Sequence, residues 1–180
     1  MDAIQDFYPT DLSYCYGCGR LNAKGLQIKS RWLKASERIS VAQFTPRPEH
    51  TAIPGFVYGG LLASLIDCHG TGTAAMAAYQ AENRTWDSTP PNRFVTAALQ
   101  TSYLLPTPIA LTNNLPADIK LIGEVSDIKL KNNRVYKVIV QIKLFSEIDE
   151  FVAVRVTGEV VAIQMPESFT SLPDSKITNI

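Results

Sequence analysis

The stretch Gly59-Gly60-Leu61-Leu62-Ala63-Ser64-Leu65-Ile66-Asp67-Cys68-His69-Gly70-Thr71-Gly72-Thr73-Ala74-Ala75-Met76-Ala77-Ala78-Tyr79 is apolar or small on nearly every side. That pattern predicts a long buried helix rather than one with a wet face. A membrane span would have this length, but Asp67, His69 and four glycines make hydrocarbon an expensive environment, and no similar segment accompanies it. Gly70 and Gly72 each cost roughly 1 kcal/mol in a helix interior. Close approach of another backbone is the expected reason for them.

Upstream of the helix, the runs Leu26 to Leu33 and Arg38 to Phe44 mix apolar and polar residues as a strand pair does, with Lys34-Ala35-Ser36-Glu37 as the turn. Pro46-Arg47-Pro48 then ends any strand and keeps the chain extended toward Pro54-Gly55. Downstream, a polar connection from Glu82 to Asn92 gives way to strands. Phe94 to Leu104 stops at Pro106-Thr107-Pro108, and Ile119 to Leu130 alternates imperfectly. Val135 to Phe145 sets Tyr136, Val138, Val140, Ile142 and Leu144 on one face and Lys137, Gln141 and Lys143 on the other. Phe151 to Ile163 follows a tight turn over Ser146 to Glu150. Strands gathered in runs around a single helix mean an α+β domain with an antiparallel sheet, because a parallel sheet needs a helix between successive strands.

A chain of 180 residues, 46% of them hydrophobic, can bury one real core. The expected organisation is an irregular Tyr- and Gly-rich arm over 1–25, a folded domain over 26–165 and a loose polar tail over 166–180. Seventeen basic and seventeen acidic residues are scattered without blocks, so no nucleic-acid or anionic-membrane partner is expected. Met1-Asp2-Ala3-Ile4-Gln5-Asp6 has neither the positive start nor the apolar core of a secretory signal, which points to the cytoplasm. The odd count of three cysteines suits reduced thiols. Cys15-Tyr16-Gly17-Cys18 has the spacing of half a zinc site, but a closed structural site needs four ligands and only His50 and His69 are otherwise on offer. A packing or lid element is the expectation for this pair, with no metal and no cofactor.

The chemistry concentrates at the start of the helix. The first backbone N–H groups of a helix lack intrahelical acceptors, and the macrodipole adds positive potential there. Gly59 and Gly60, having no Cβ, let a substrate carbonyl approach those groups. Asp67 is a carboxylate in a helix otherwise made of Leu, Ile, Ala and Gly. It is either a buried acid tied to a neighbouring backbone or to Ser64, or a base or nucleophile tuned by its surroundings. Eight residues separate Gly59 from Asp67 by roughly 12 Å along the axis, so one helix cannot aim both at a single carbonyl. If they serve one reaction they must come from two protomers whose helices run antiparallel across a two-fold axis. Thr71, one turn after Asp67, either reaches the carboxylate or bonds back to the Asp67 carbonyl. His69 falls on another side of the helix and is not expected to act with Asp67.

Three motifs carry a resemblance. Pro54-Gly55-Phe56-Val57-Tyr58-Gly59-Gly60 with Leu65-Ile66-Asp67 resembles the PG-x-V-H-G-G-x-x-x-x-L-x-D signature of hot-dog-fold thioesterases of the PaaI-like group. Val95 to Pro108 is similar to their V-T-A-x-L-x-x-x-Y-L-x-P-T-P strand, and Cys15 to Leu26 resembles the C-x-x-C-G-x-x-N-x-x-G-L opening of one branch. The resemblance, over about residues 15–164, implies a curved antiparallel sheet around the helix and a homodimer, or a dimer of dimers, with acyl-CoA sites at the interface and no cofactor. In that scheme the Gly59 N–H, with Gly60 behind it, polarises the thioester carbonyl, and Asp67 acts as base or nucleophile. Thr71 or Thr96 orients the water or the carboxylate. Val57, Tyr58 and Ser64 flank the acyl group, and Asn133 and Arg134 contact CoA phosphate. Tyr58 stands where the family has His and offers a phenol in place of an imidazole. The alternative is a hot-dog protein that binds acyl-CoA, or another acyl ligand, without turning it over.

Overall fold

The computed structural model describes residues 2–109, 111–112 and 115–165; the tail expected over 166–180 lies outside the described residues. Strands β1 (Arg31–Lys34) and β2 (Ile39–Phe44) precede helix α1 (Gly59–Ala81), and β3 (Phe94–Tyr103), β4 (Leu111–Thr112), β5 (Leu115–Pro116), β6 (Ile119–Lys131), β7 (Arg134–Ser146) and β8 (Val156–Gln164) follow it. Six strands form one antiparallel sheet in the order β1-β2-β6-β7-β8-β3, while β4 and β5 pair separately. The α+β expectation holds, with a hairpin, one long helix and four further strands in the main sheet. Bulges interrupt the β3, β6 and β7 ladders, and each strengthens the local twist with which the sheet wraps the helix.

Sixteen of the 23 residues of α1 are buried, so the helix is enclosed on nearly all sides, as its unbroken apolar sequence requires. Among the described residues no helix is long and apolar enough to cross a membrane. The glycines answer to side chains rather than to another backbone. A Cβ on Gly70 would come within 2.5 Å of Val160, one on Gly72 within 2.7 Å of Gln5, and one on Gly158 of the sheet within 2.4 Å of Ile66. Helix and sheet therefore interlock through reciprocal notches.

Three features differ from the sequence expectation, each for a visible reason. Residues 26–30 are not strand: Leu26 N–H donates to Tyr16 (2.7 Å), Ile28 N–H to Gly17 (3.0 Å), and Gln27 has φ of 51°. This segment is held by the N-terminal arm, whose Ala3, Ile4 and Gln5 are fully buried, so the arm completes the core. Strand β8 starts at Val156 rather than Phe151, because Glu150 and Phe151 both take positive φ and the loop closes on Ser146. Tyr136 is exposed instead of sharing the Val138–Leu144 face: it is the extra residue where Leu130 pairs Val135 and Lys129 pairs Lys137. A bulge shifts the alternation by one residue.

A polar network crosses the core beside α1. His69 is fully buried, with Nδ1 2.9 Å from Ser30 Oγ and Nε2 3.1 Å from Ser40 Oγ. Ser40 Oγ also lies 2.7 Å from Thr73 Oγ1. Burial holds the imidazole neutral, with its pKa down at about 3. Its role is structural, on a different side of the helix from Asp67. Replacing His69 with Leu should destabilise the fold by about 2 kcal/mol in urea unfolding, since two buried hydroxyls each lose a partner.

Candidate active site

The approach to α1 is a pinned extended segment. Val57 N–H donates to the Thr107 carbonyl (2.9 Å) and Tyr58 N–H to that of His50 (2.8 Å). Val57 is buried and Tyr58 is 58% exposed. The Tyr58 carbonyl accepts from Leu61 and Leu62 N–H, leaving the Gly59 and Gly60 N–H groups without a backbone acceptor among the described residues. Two donors at a helix N-terminus are thus open to an external acceptor. A Cβ on Gly60 would stand 2.4 Å from the ring of the exposed Tyr58, which would have to swing aside, whereas one on Gly59 would only touch Tyr103 at 3.4 Å. Tyr103 donates its hydroxyl to the Gly59 carbonyl at 2.9 Å and fixes the first turn. It went unremarked in the sequence although it is the tyrosine of the second motif.

Asp67 is half-buried two turns further on. Thr96 of β3 donates its hydroxyl to Asp67 Oδ1. Thr71 instead donates to its own helix, to the Asp67 carbonyl at 3.2 Å and the Cys68 carbonyl at 3.3 Å, and Ser64 likewise donates to the Gly60 carbonyl at 2.9 Å. Of the two threonines, the strand residue meets the carboxylate. Burial raises the Asp67 pKa, and the Thr96 hydrogen bond offsets this only in part.

Glu82, at the far end of α1, makes the contrast. Its side chain is 2% exposed, yet Oε1 accepts from Val135 N–H (2.8 Å) with Arg134 Nε at 3.3 Å, and Oε2 accepts from Arg84 (2.9 Å) and Asn92 (3.0 Å). Burial alone would raise its pKa; the Val135 N–H and the three side-chain partners reverse that and hold it below the usual range. Glu82 is a saturated structural acid, whereas among the described residues Asp67 accepts from one hydroxyl alone. Arg134 also donates to Asn92 at 2.8 Å, so it is engaged at the helix C-terminus, and Asn133 forms the adjoining turn with φ of 60°.

Two cavities open around the helix start. One, of about 360 Å³, is apolar and framed by Ile53, Phe56, Leu62, Tyr103 and Leu105 beside Gly59. The other, of about 350 Å³, is bounded by Tyr58, Gly60, Ser64 and His50. Asp67 borders neither. Within one chain, the glycine end and the carboxylate are separate features of the surface of the helix.

One helix wrapped by a curved antiparallel sheet is the hot-dog fold. The chain is 40% identical to a thioesterase superfamily protein from Shewanella loihica PV-4, over 88% of this chain and 100% of that one, with a TM-score of 0.59. It belongs to the thioesterase superfamily. The fold is also that of the E. coli PaaI protein of the phenylacetic acid degradation operon (13% identity, 80% and 83% coverage, TM-score 0.55) and of an apo-hexameric acyl-CoA thioesterase (14% identity, 74% and 72% coverage, TM-score 0.53). Neither a family model nor a curated relative matches the sequence.

Proposed function

We propose that this protein hydrolyses an acyl-CoA to the free acid and CoA in sites shared between two protomers. The observation that carries the reading is Asp67: a half-buried carboxylate with raised pKa whose one hydrogen-bond partner among the described residues is the Thr96 hydroxyl. Acting as a base, it takes a proton from water whose oxygen attacks the thioester carbon. Negative charge then gathers on the carbonyl oxygen, where the Gly59 N–H of the other protomer receives it, worth about 3–4 kcal/mol for one such donor. The C–S bond breaks, and the thiolate of CoA recovers the proton. Acting as a nucleophile, the Asp67 carboxylate attacks the thioester carbon and the C–S bond breaks with CoA leaving as thiolate. Water then opens the resulting anhydride to the free acid and the Asp67 carboxylate, and its released proton goes to the thiolate. Both routes need the same contacts.

The free edge of β3, with Val95, Leu99 and Tyr103 exposed along it, is the surface through which two copies would pair. A cytoplasmic setting suits the reading, since thiols stay reduced there. Tyr58 supports the non-catalytic alternative: its ring lies across Gly60, at the place where an acyl carbonyl would arrive. A panel of short, medium, long and aryl acyl-CoAs, followed by release of free thiol, decides between the two. Turnover of at least one class is expected, and tight binding with no thiol release on any of them establishes the binding protein.

Thr96 is proposed to position Asp67. Thr96→Val should lower kcat about tenfold with KM little changed, and Thr96→Ser should restore it. A drop in stability with unaltered kcat would make Thr96 merely a packing residue.

A further inference from the structure

The fold brings Cys68, the neighbour of Asp67 on α1, onto the Cys15–Cys18 pair of the N-terminal arm. The three sulfurs all lie within 4.8 Å of one another, with Cys15 Sγ and Cys68 Sγ 3.8 Å apart. Bonds of about 2.3 Å to a tetrahedral zinc ion set two thiolate sulfurs about 3.8 Å apart. Cys18 and Cys68 are buried, and Cys15 opens to solvent and gives a path for entry.

One further observation points to negative charge at this place. Arg93 lies with Nη2 3.9 Å from Cys18 Sγ and its guanidinium 4.0 Å from the Tyr8 ring, while its Nη1 is buried without a hydrogen-bond partner. Among the described residues no carboxylate pairs with it. A half-buried guanidinium with a buried, unpartnered Nη1 beside three thiols fits the negative charge that three thiolates on one divalent ion would carry. The sequence expectation of no metal weighed the histidines as further ligands. Both are committed elsewhere, His69 to Ser30 and Ser40 and His50 to the Arg47 N–H at 3.0 Å. The third ligand is a cysteine 50 residues further along the chain.

We propose that Cys15, Cys18 and Cys68 bind one thiophilic d10 cation of the Zn²⁺ class, which staples the N-terminal arm to the central helix. Three thiols release three protons on binding, and the fourth position is left to water or another small ligand. Gly17 permits the closure, because a Cβ there would stand 2.3 Å from Cys68 Sγ.

The test uses the full chain, reduced and stripped of metal, titrated with Zn²⁺ against a chromophoric chelator and with Co²⁺ by absorption. One equivalent per chain is expected, with thiolate-to-cobalt charge transfer and the strong visible bands of tetrahedral cobalt. Cys15→Ser and Cys68→Ser should each weaken Zn²⁺ binding at least about tenfold, and Arg93→Gln by up to about tenfold. Should a variant fail to fold, alkylation of the wild type keeps the question closed: Zn²⁺ must protect Cys15, Cys18 and Cys68 together. Absence of stoichiometric binding by the reduced protein, or protection that leaves Cys68 reactive, overturns the site.

Discussion

Asp67→Asn should fold as wild type and release thiol from its best acyl-CoA at least about 10³-fold more slowly. Asparagine keeps the size of the side chain and can still accept from Thr96, so packing between α1 and β3 is retained. What it loses is the ability to take a proton or to attack carbon. The matching change at the other acid, Glu82→Gln, should do the reverse, lowering stability by about 2 kcal/mol while leaving kcat intact, because that carboxylate is consumed by its partners. Thiol release and urea unfolding on the two variants separate the roles. An Asp67→Asn enzyme within tenfold of wild type would remove Asp67 from the mechanism. Single turnover in ¹⁸O-water adds a one-sided test, since label found in the Asp67 carboxylate establishes the anhydride route.

The second large effect concerns the helix start. Gly59 is the first helical residue, and Tyr58 before it already has φ of −61° and ψ of 127°. That is the extended backbone a following proline demands, and proline is well accepted at the first helical position. Gly59→Pro therefore deletes one N–H while sparing the fold, and a loss of about 10²- to 10³-fold in kcat is expected from a missing oxyanion donor. Mixing this variant with Asp67→Asn carries the argument from residue to assembly. In a heterodimer of the two, one site unites the intact Gly59 of one protomer with the intact Asp67 of the other, and random exchange should recover about one quarter of wild-type activity. No recovery after demonstrated exchange would mean that each site is built within a single chain.

The central helix and the order of the elements along the chain were legible because each rests on a local signal, apolar or small residues on nearly every side over 59–79 and alternation over 138–144, and glycine before an isolated acid marked the candidate site. Misreadings fell where distant chain overrides local pattern. Residues 26–30 have the composition of a strand, yet their backbone bonds go to Tyr16 and Gly17. Tyr136 keeps the period of its neighbours in sequence and loses it to a bulge. The choice between Thr71 and Thr96 could not be made from spacing on the helix, because the deciding partner comes from a strand 29 residues away. The same reason hid the proximity of Cys68 to the arm: two thiols of the three were visible as a pair, and the third is brought there by topology.

The interlocking of Gly70 with Val160 and of Gly158 with Ile66 has a bearing on how this scaffold can diversify. A helix of alanine and glycine is nearly smooth, and a smooth rod in a sleeve can turn or slip along its axis. These two notches key the rod, so the axial setting of Asp67 against Thr96 does not depend on the loops at either end. The Asp67–Thr96 pair is thereby insulated from changes at the rim. Substitutions at Ile53, Phe56 or Leu105 can reshape what the cavity admits while the carboxylate stays in register with its threonine.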